Sequence, residues 1–393
     1  MANKRNNHTT RAGVYRKQPT GYTAFIPAAL PPEQPIETDG KLQGLLSQAD
    51  LALGRLDGSI HILPDQDLFV FMYLRKEAVL SSQIEGTQSS LHDLLAAEAK
   101  VFNPDRPDDV AEVVNYVRAM NYGLKRLSDL PVSARLIREI HARLLKGARG
   151  AHLTPGEFRT SQNWIGPPGC TLDEAIYVPP PPDKVLQNVS DLERFIHSDI
   201  NLPLLIKIGL IHAHFETIHP FLDGNGRVGR LLITLLLCER NVLQKPVLYL
   251  SYYLKQHRSR YYEELQSVRD NGTWERWLAF FLRGIVEVSG QATETTRRIL
   301  SLREAHRETI NQEFERAAGS GQRVLDHLYE HPIVSVNNVK ELLGATYASA
   351  NTIVARLADR GILHEFTGRQ RNRRFIYKNY IDLFREDDPY PGI

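Results

Sequence analysis

The chain has little that would hold it together covalently. Of its 393 residues only two are cysteine, Cys170 and Cys238, far apart in sequence. No disulfide scaffold is implied, and a reducing, cytoplasmic setting is expected. Cys238 lies in an apolar run and reads as a small buried hydrophobe. No apolar stretch approaches the length of a membrane span. The N-terminus carries Lys4, Arg5, Arg11, Arg16 and Lys17 without an apolar run, so no secretory signal is expected. Neither sign of charge is in excess: 48 Lys and Arg stand against 46 Asp and Glu. General affinity for nucleic acid or membrane is therefore not expected, and any such binding must be local. The sequence lacks internal repeats and low-complexity tracts. It also lacks a His-Glu-x-x-His motif and a cysteine pair, so no zinc signature is present.

What remains is an ordinary globular composition, 42% apolar and 24% charged, long enough for two or three domains. Its polar chemistry is concentrated in Thr217 to Arg230, between the apolar runs Leu204–Ile211 and Leu231–Cys238. Both runs read as buried helices, because apolar residues fill nearly every position. Pro220 disfavours helical geometry at His219, so the first helix should end there and expose the imidazole at a turn. Gly224 and Gly226 allow backbone amides to converge on an anion at the start of the next helix. Arg227 and Arg230, three residues apart, should point to one side. Asp223 is a hard carboxylate suited to Mg²⁺ shared with phosphate oxygens. His212 and His214 face different ways on a helix and read as core or supporting groups rather than metal ligands.

Residues 219–230 read His-Pro-Phe-Leu-Asp-Gly-Asn-Gly-Arg-Val-Gly-Arg. This resembles the Fic family signature, His-Pro-Phe-x-Asp/Glu-Gly-Asn-Gly-Arg-x-x-Arg, at every defined position. The resemblance implies a protein adenylyltransferase that moves AMP from ATP onto a hydroxyl of a target protein or of itself. It implies His219 as general base, Phe221 as loop anchor and Asp223 as the Mg²⁺ ligand. Gly224, Asn225, Gly226, Arg227, Val228, Gly229 and Arg230 would hold the nucleotide.

A second informative stretch ends a helix expected from about Asp67 to Glu85, with Gly86 as a natural terminator. A glutamate opposes the negative end of the helix dipole unless a cation claims it. Ser81-Ser82-Gln83-Ile84-Glu85-Gly86 resembles the inhibitory motif of Fic proteins, Ser/Thr-x-x-x-Glu-Gly/Asn. The implied partner of Glu85 is Arg230, with Ser81 on the same helix face.

Residues 156–166 could form a strand, turn at Pro167-Pro168-Gly169 and pair with 175–178. An exposed hairpin edge can capture an extended peptide. In Fic proteins a flap here aligns the target, which points to Asn163, Trp164, Ile165 and Gly166. Tyr261, or failing it Tyr262, is expected to cover adenine by stacking. His141 reads as a satisfied core histidine. The first dozen residues are expected to be disordered, and Phe25 to Pro35 to form an extended strap.

Ala317–Gly321 reads as a linker. Beyond it, three helices and a hairpin resemble a winged helix-turn-helix. Arg369, Arg371, Arg373 and Arg374 would form the wing, and Tyr347, Ser349, Asn351 and Arg356 would face a groove.

The expected fold is mainly α: a Fic-type helical core with a short β-hairpin flap, plus the winged helix. The divisions fall at 1–107, 108–316 and 317–393. ATP is the co-substrate and Mg²⁺ the cofactor. A homodimer and DNA binding by the winged helix stay open, and no membrane association is expected. Two other functions stay open as well. One is removal of AMP or transfer from another nucleotide donor. The other is a DNA-binding regulator whose core senses nucleotide.

Overall fold

The computed structural model describes residues 8–61, 63, 66–99, 107–148, 150–167 and 169–385. Three short strands come first: β1 (Thr9–Thr10), β2 (Gly13–Lys17) and β3 (Thr23–Pro27), antiparallel and in that order. The disorder expected over the first dozen residues does not hold for 9–12, which form β1 and the turn into β2; residues 1–7 fall outside the described residues. Aromatic packing explains the difference. Tyr15 and Phe25, opposite each other in register, pack edge to face at 4.9 Å, and Tyr15 Oη donates to Asp270 at 2.6 Å.

Helices follow: α1 (Gly40–His61), α2 (Gln66–Ile84), α3 (Leu91–Glu98), α4 (Pro107–Arg126), α5 (Ala134–Leu144) and α6 (Pro182–His197). Then come α7 (Leu204–Ile218), α8 (Asn225–Glu239), α9 (Ser251–Gln256), α10 (Arg258–Asn271) and the long α11 (Trp274–Glu313). The caps follow the sequence. Ser90 and Asp93 form a reciprocal capping box on α3, and Ser133 caps α5 through the Leu136 amide. The two apolar runs become α7 and α8, buried on all sides and packed against each other. They form the centre of the molecule. The inhibitory-motif helix α2 crosses them, packed on α4, α8 and α9, while α1 lies along α11. No helix among the described residues is long and apolar enough to cross a membrane.

The C-terminal part runs α12 (Ala318–Glu330), β4 (Ile333–Ser335), α13 (Val336–Leu343), α14 (Tyr347–Asp359), β5 (His364–Glu365), β6 (Arg374–Ile376) and α15 (Lys378–Asp382). Its sheet is antiparallel in the order β4–β6–β5, so the expected hairpin gains a third strand. The linker expected at Ala317–Gly321 is instead helical. Gly321 explains this: a Cβ there would press on Ile310 and Phe314, so the glycine serves close helix packing rather than flexibility. The flap hairpin expected over 156–178 is reduced to a single antiparallel bridge, Ile165 to Tyr177, with a 3-10 turn at Leu172–Glu174. Prolines on either side and hydrogen bonds to the neighbouring loop replace a ladder.

Candidate active site

Helix α7 ends before Pro220, as expected, although His219 does not take the extended geometry usual before a proline. His219 takes left-handed geometry (φ 48°) and its amide donates to the Phe215 carbonyl. Tyr177 Oη donates to Thr217 O at 2.6 Å, and two buried guanidiniums claim other carbonyls of this helix end. Arg159 Nε donates to His219 O at 2.9 Å, and Arg269 Nη2 donates to Glu216 O at 3.3 Å. Both satisfy acceptors that a helix C-terminus leaves open and complement its dipole. Sequence reading missed both arginines. Each is a single residue in an unexceptional segment, and only the fold brings it to α7.

The two cations also act on the imidazole. Burial, followed by Arg159 and Arg269, lowers the His219 pKa to about 3, and its Nδ1 has no hydrogen-bond partner. The ring is therefore neutral at physiological pH, the form a proton acceptor needs.

The loop from Phe221 to Gly224 is braced from beneath. Asn225 Nδ2 donates to Phe221 O and Asn225 Oδ1 accepts from Phe221 N, at 2.8 and 2.9 Å. His141 lies flat on Phe221, ring centroids 3.7 Å apart. Its Nδ1 accepts from Gly156 N, which leaves Nε2 to donate to Asp223 O at 3.0 Å. His141 is thus a satisfied core histidine that positions the loop, and burial lowers its pKa to about 4.

Gly224 takes left-handed geometry (φ 77°) and caps α8. The first bond of the helix runs from Val228 N to Gly224 O, so the amides of Asn225, Gly226 and Arg227 precede the ladder. They leave the open helix end expected from the glycines, the kind of end that can receive an anion. Val228 and Gly229, expected to contact nucleotide, turn inward instead. Val228 is fully buried and its amide is spent, while Gly229 O accepts from His212 Nδ1 and its Cα side abuts Glu216.

The arginines of the signature do not point to one side. Arg227 Nη1 reaches buried Glu112 of α4 at 3.4 Å, and its Nη2 lies 3.5 Å from Asp223 Oδ2. Arg230 turns to α2. Its Nε donates to Ser81 Oγ at 2.9 Å, and its Nη2 to Ser81 O at 3.0 Å and to Glu85 Oε1 at 2.6 Å. Burial acts to raise the Glu85 pKa, but Arg230, with Arg227 and His219, holds it below the usual carboxylate range. A Cβ at Gly226 would collide with Glu85 Oε1. The glutamate therefore sits at the head of α8, where an anion would bind. Gly86, at φ 99°, turns the chain away immediately afterwards.

Asp223 Oδ1 accepts from the Gly224 amide at 2.7 Å, and its side chain is about one-third exposed. Among the described residues no cluster of three or more His, Cys, Asp or Glu is arranged to hold a metal. A single accessible carboxylate beside a phosphate-binding helix end does fit Mg²⁺, which takes one or two carboxylates and completes its shell with phosphate and water. His212 and His214 are buried, with pKa values lowered chiefly by desolvation to about 3 and about 4.

The flap residues are tied to this loop. Asn163 Nδ2 donates to Phe221 O at 2.8 Å and lies 3.3 Å from His219 O. Ile165 forms the bridge to Tyr177, and Gly166 leaves room for Cys170 Sγ. Trp164 is exposed, its Nε1 donating to Cys170 O.

Tyr261, expected over adenine, is instead sealed in the core at 1% exposure. Its hydroxyl bonds His212 Nε2 at 2.8 Å, and its ring packs beside His212 and Trp277. The second choice, Tyr262, is 40% exposed, with its ring between Tyr261 and the Arg258 guanidinium.

Comparison with known proteins gives matches of family and of fold. Residues 43–125 match the Fic/DOC family N-terminal region and residues 131–237 the Fic/DOC family. A Drosophila persimilis protein named protein adenylyltransferase Fic is 31% identical over 186 residues, covering 46% of this chain and 32% of that one. A probable protein adenylyltransferase of Aquifex aeolicus is 29% identical over 181 residues, 44% of this chain and 51% of that one. The chain thus spans about a third to a half of the length of these curated relatives. A crystal structure of a Fic family protein from Desulfovibrio desulfuricans superposes with a TM-score of 0.55 over 87% of this chain and 97% of that one, at 19% identity. The mainly helical fold is shared at that level. Residues 43–237 thus carry both Fic/DOC family regions, in a mainly helical fold shared with a Fic family protein.

Proposed function

We propose that the chain is a self-inhibited protein adenylyltransferase, moving AMP from ATP to a Tyr, Ser or Thr hydroxyl of a target protein or of itself. The carrying observation is the 2.6 Å contact of Glu85 with Arg230 at the anion-binding end of α8, beside a neutral His219.

His219 accepts the hydroxyl proton of the target as its oxygen attacks the α-phosphorus. The bond from that phosphorus to the bridging oxygen breaks, and pyrophosphate leaves. The amides of Asn225, Gly226 and Arg227 receive phosphate oxygens, and Arg230, once free of Glu85, neutralises the leaving group. Asp223 would hold Mg²⁺ together with the phosphates, where the ion would offset their negative charge. Tyr262 offers its ring to the base. Trp164 and the edge around Ile165 position the target segment beside His219.

In the resting state Glu85 occupies the phosphate end of α8 and engages Arg230, so a triphosphate cannot take the productive pose. The test is transfer of α-labelled ATP to protein by the native chain, Glu85→Gly and Glu85→Gly/His219→Ala. Label is expected with Glu85→Gly alone. Equal labelling by the double variant would remove His219 as the base. No label in any variant would overturn adenylylation itself.

A further inference from the structure

The proposed reaction leaves the C-terminal unit, residues 318–385, without a role. Two of its surfaces lie side by side and uncovered. One is the loop between β5 and β6, where Arg369, Arg371 and Arg373 are exposed. No acidic residue occurs from 366 to 377. The nearest carboxylate, Glu365, is spent on the amides of Thr367 and Gly368 at 2.8 and 3.2 Å. The other surface is the outer face of α14. Its exposed side chains are Tyr347 (56%), Ala348, Ser349, Thr352 and Ala355, small apart from Tyr347 at its start, with no acid before Asp359. The two are joined: Arg373 Nη2 donates to Asn351 Oδ1 of α14 at 3.2 Å. Arg356, expected to face a groove, does not: it donates to Phe314 O at 3.2 Å and belongs to the packing of α14 on the end of α11.

Unopposed guanidiniums suit a polyanion, and a helix of mostly small side chains beside them can enter a groove. An acidic protein would be met by charge alone and would not use that helix face.

The same unit is seated on α2. Phe384 meets Tyr73 edge-on at 5.2 Å, and His331 meets Phe71 at 6.2 Å. Phe366, at the root of the basic loop, meets His92 of α3 at 5.9 Å. Arg75, 3.1 Å over the Phe71 ring, holds Glu98 of α3 at 2.7 Å. One half of α2 is thus gripped by the C-terminal unit, and its other end delivers Glu85 to Arg230. A rigid helix shared by two sites is a route for coupling between them.

We propose that the C-terminal unit binds duplex DNA, with α14 in the major groove and the 366–374 loop along the phosphates, and that a bound duplex disturbs the Glu85 end of α2. This goes beyond the adenylyltransferase reading and can be tested without it. The full chain is titrated with a short labelled DNA duplex, followed by fluorescence anisotropy at several salt concentrations. Affinity is expected to fall steeply with salt. R369Q/R371Q/R373Q, all exposed positions, should weaken binding by at least about tenfold and flatten the log–log salt slope by about three. Hydrogen exchange at the amides of residues 81–87 should quicken with duplex in the native chain and not in the triple variant. Equal binding of polyglutamate, or a triple variant that binds as well as the native chain, overturns the DNA surface. Binding without a change in exchange at 81–87 overturns the coupling.

Discussion

Helix α8 begins with two arginines three residues apart, and the protein treats them differently. Arg227 and its partner Glu112 have side chains only 2% and 1% exposed, and Glu112 also accepts from Thr87 Oγ1 at 2.8 Å. Arg230 is equally buried, but its partner Glu85 is 32% exposed. The first pair joins α8 to α4 from within. In the second, the carboxylate can withdraw into water while the guanidinium stays. Losing Glu112 strands a buried charge, whereas Arg230 keeps two hydrogen bonds to Ser81 when the half-solvated Glu85 withdraws. One pair therefore builds the site, and the other can act as its latch.

The sharpest way to break this contrast is Glu112→Ala. It should destabilise the fold by about 3–5 kcal/mol, because it leaves Arg227 buried without its anion. The check is denaturant unfolding. Loss of less than about 1 kcal/mol would mean that Asp223 alone satisfies Arg227.

Glu85→Gly should do the reverse. Stability should fall by less than in Glu112→Ala, because Ser81 still serves the buried Arg230, while labelling from ATP rises by at least about tenfold. Equal losses of stability in the two variants would erase the distinction between builder and latch.

A third carboxylate sharpens the comparison. Glu216 is buried between α7 and α8, with Oε1 lacking a partner, and burial raises its pKa to about 7 against the pull of Arg230 and Arg269. The folded state then keeps a proton that the unfolded chain loses near pH 4.5. Stability from this group is fully present below about pH 4.5 and is lost as pH rises towards 7. Gln imitates the protonated form, so the Tm of Glu216→Gln relative to the native chain should rise between pH 5 and pH 8. A constant difference would mean that Glu216 ionises normally.

The smallest effect is expected at the two tyrosines. Tyr262→Ala should weaken ATP binding by roughly 1 kcal/mol, the scale of one aromatic contact, and Tyr261→Phe should leave ATP affinity unchanged. ATP titration in the Glu85→Gly background separates them. The opposite order would return the stacking role to Tyr261.

Legibility in the sequence followed the distance over which each feature is built. The loop at 219–230 was readable because its proline, glycines and charges act within a dozen consecutive residues. Gly224 capping α8 and His219 ending α7 are local backbone consequences. The divergence of Arg227 and Arg230 was not readable, because it depends on carboxylates brought by α4 and α2 from over 100 residues upstream. Arg159 and Arg269 were missed for a related reason: their partners are backbone carbonyls, which carry no side-chain signature. Ala317–Gly321 misled because small residues serve flexibility and close packing alike, and only the neighbours Ile310 and Phe314 decide between them. The N-terminal sheet was hidden because Tyr15 finds its partners in β3 and α10, not beside it in the chain.

The residues alone settled that α7 and α8 are buried helices, that His219 stands at the turn between them and that a glycine-capped helix start follows. Hydrophobic periodicity and backbone sterics act over a few residues and need no distant partner. The motif resemblance pointed to the Glu85–Arg230 pair, but the pairing of Arg227 with Glu112 was decided by tertiary structure. So were the neutrality of His219, the sealing of Tyr261 and the exposure of Tyr262. Desolvation and ion pairing depend on what surrounds a group in space, and the fold sets those surroundings.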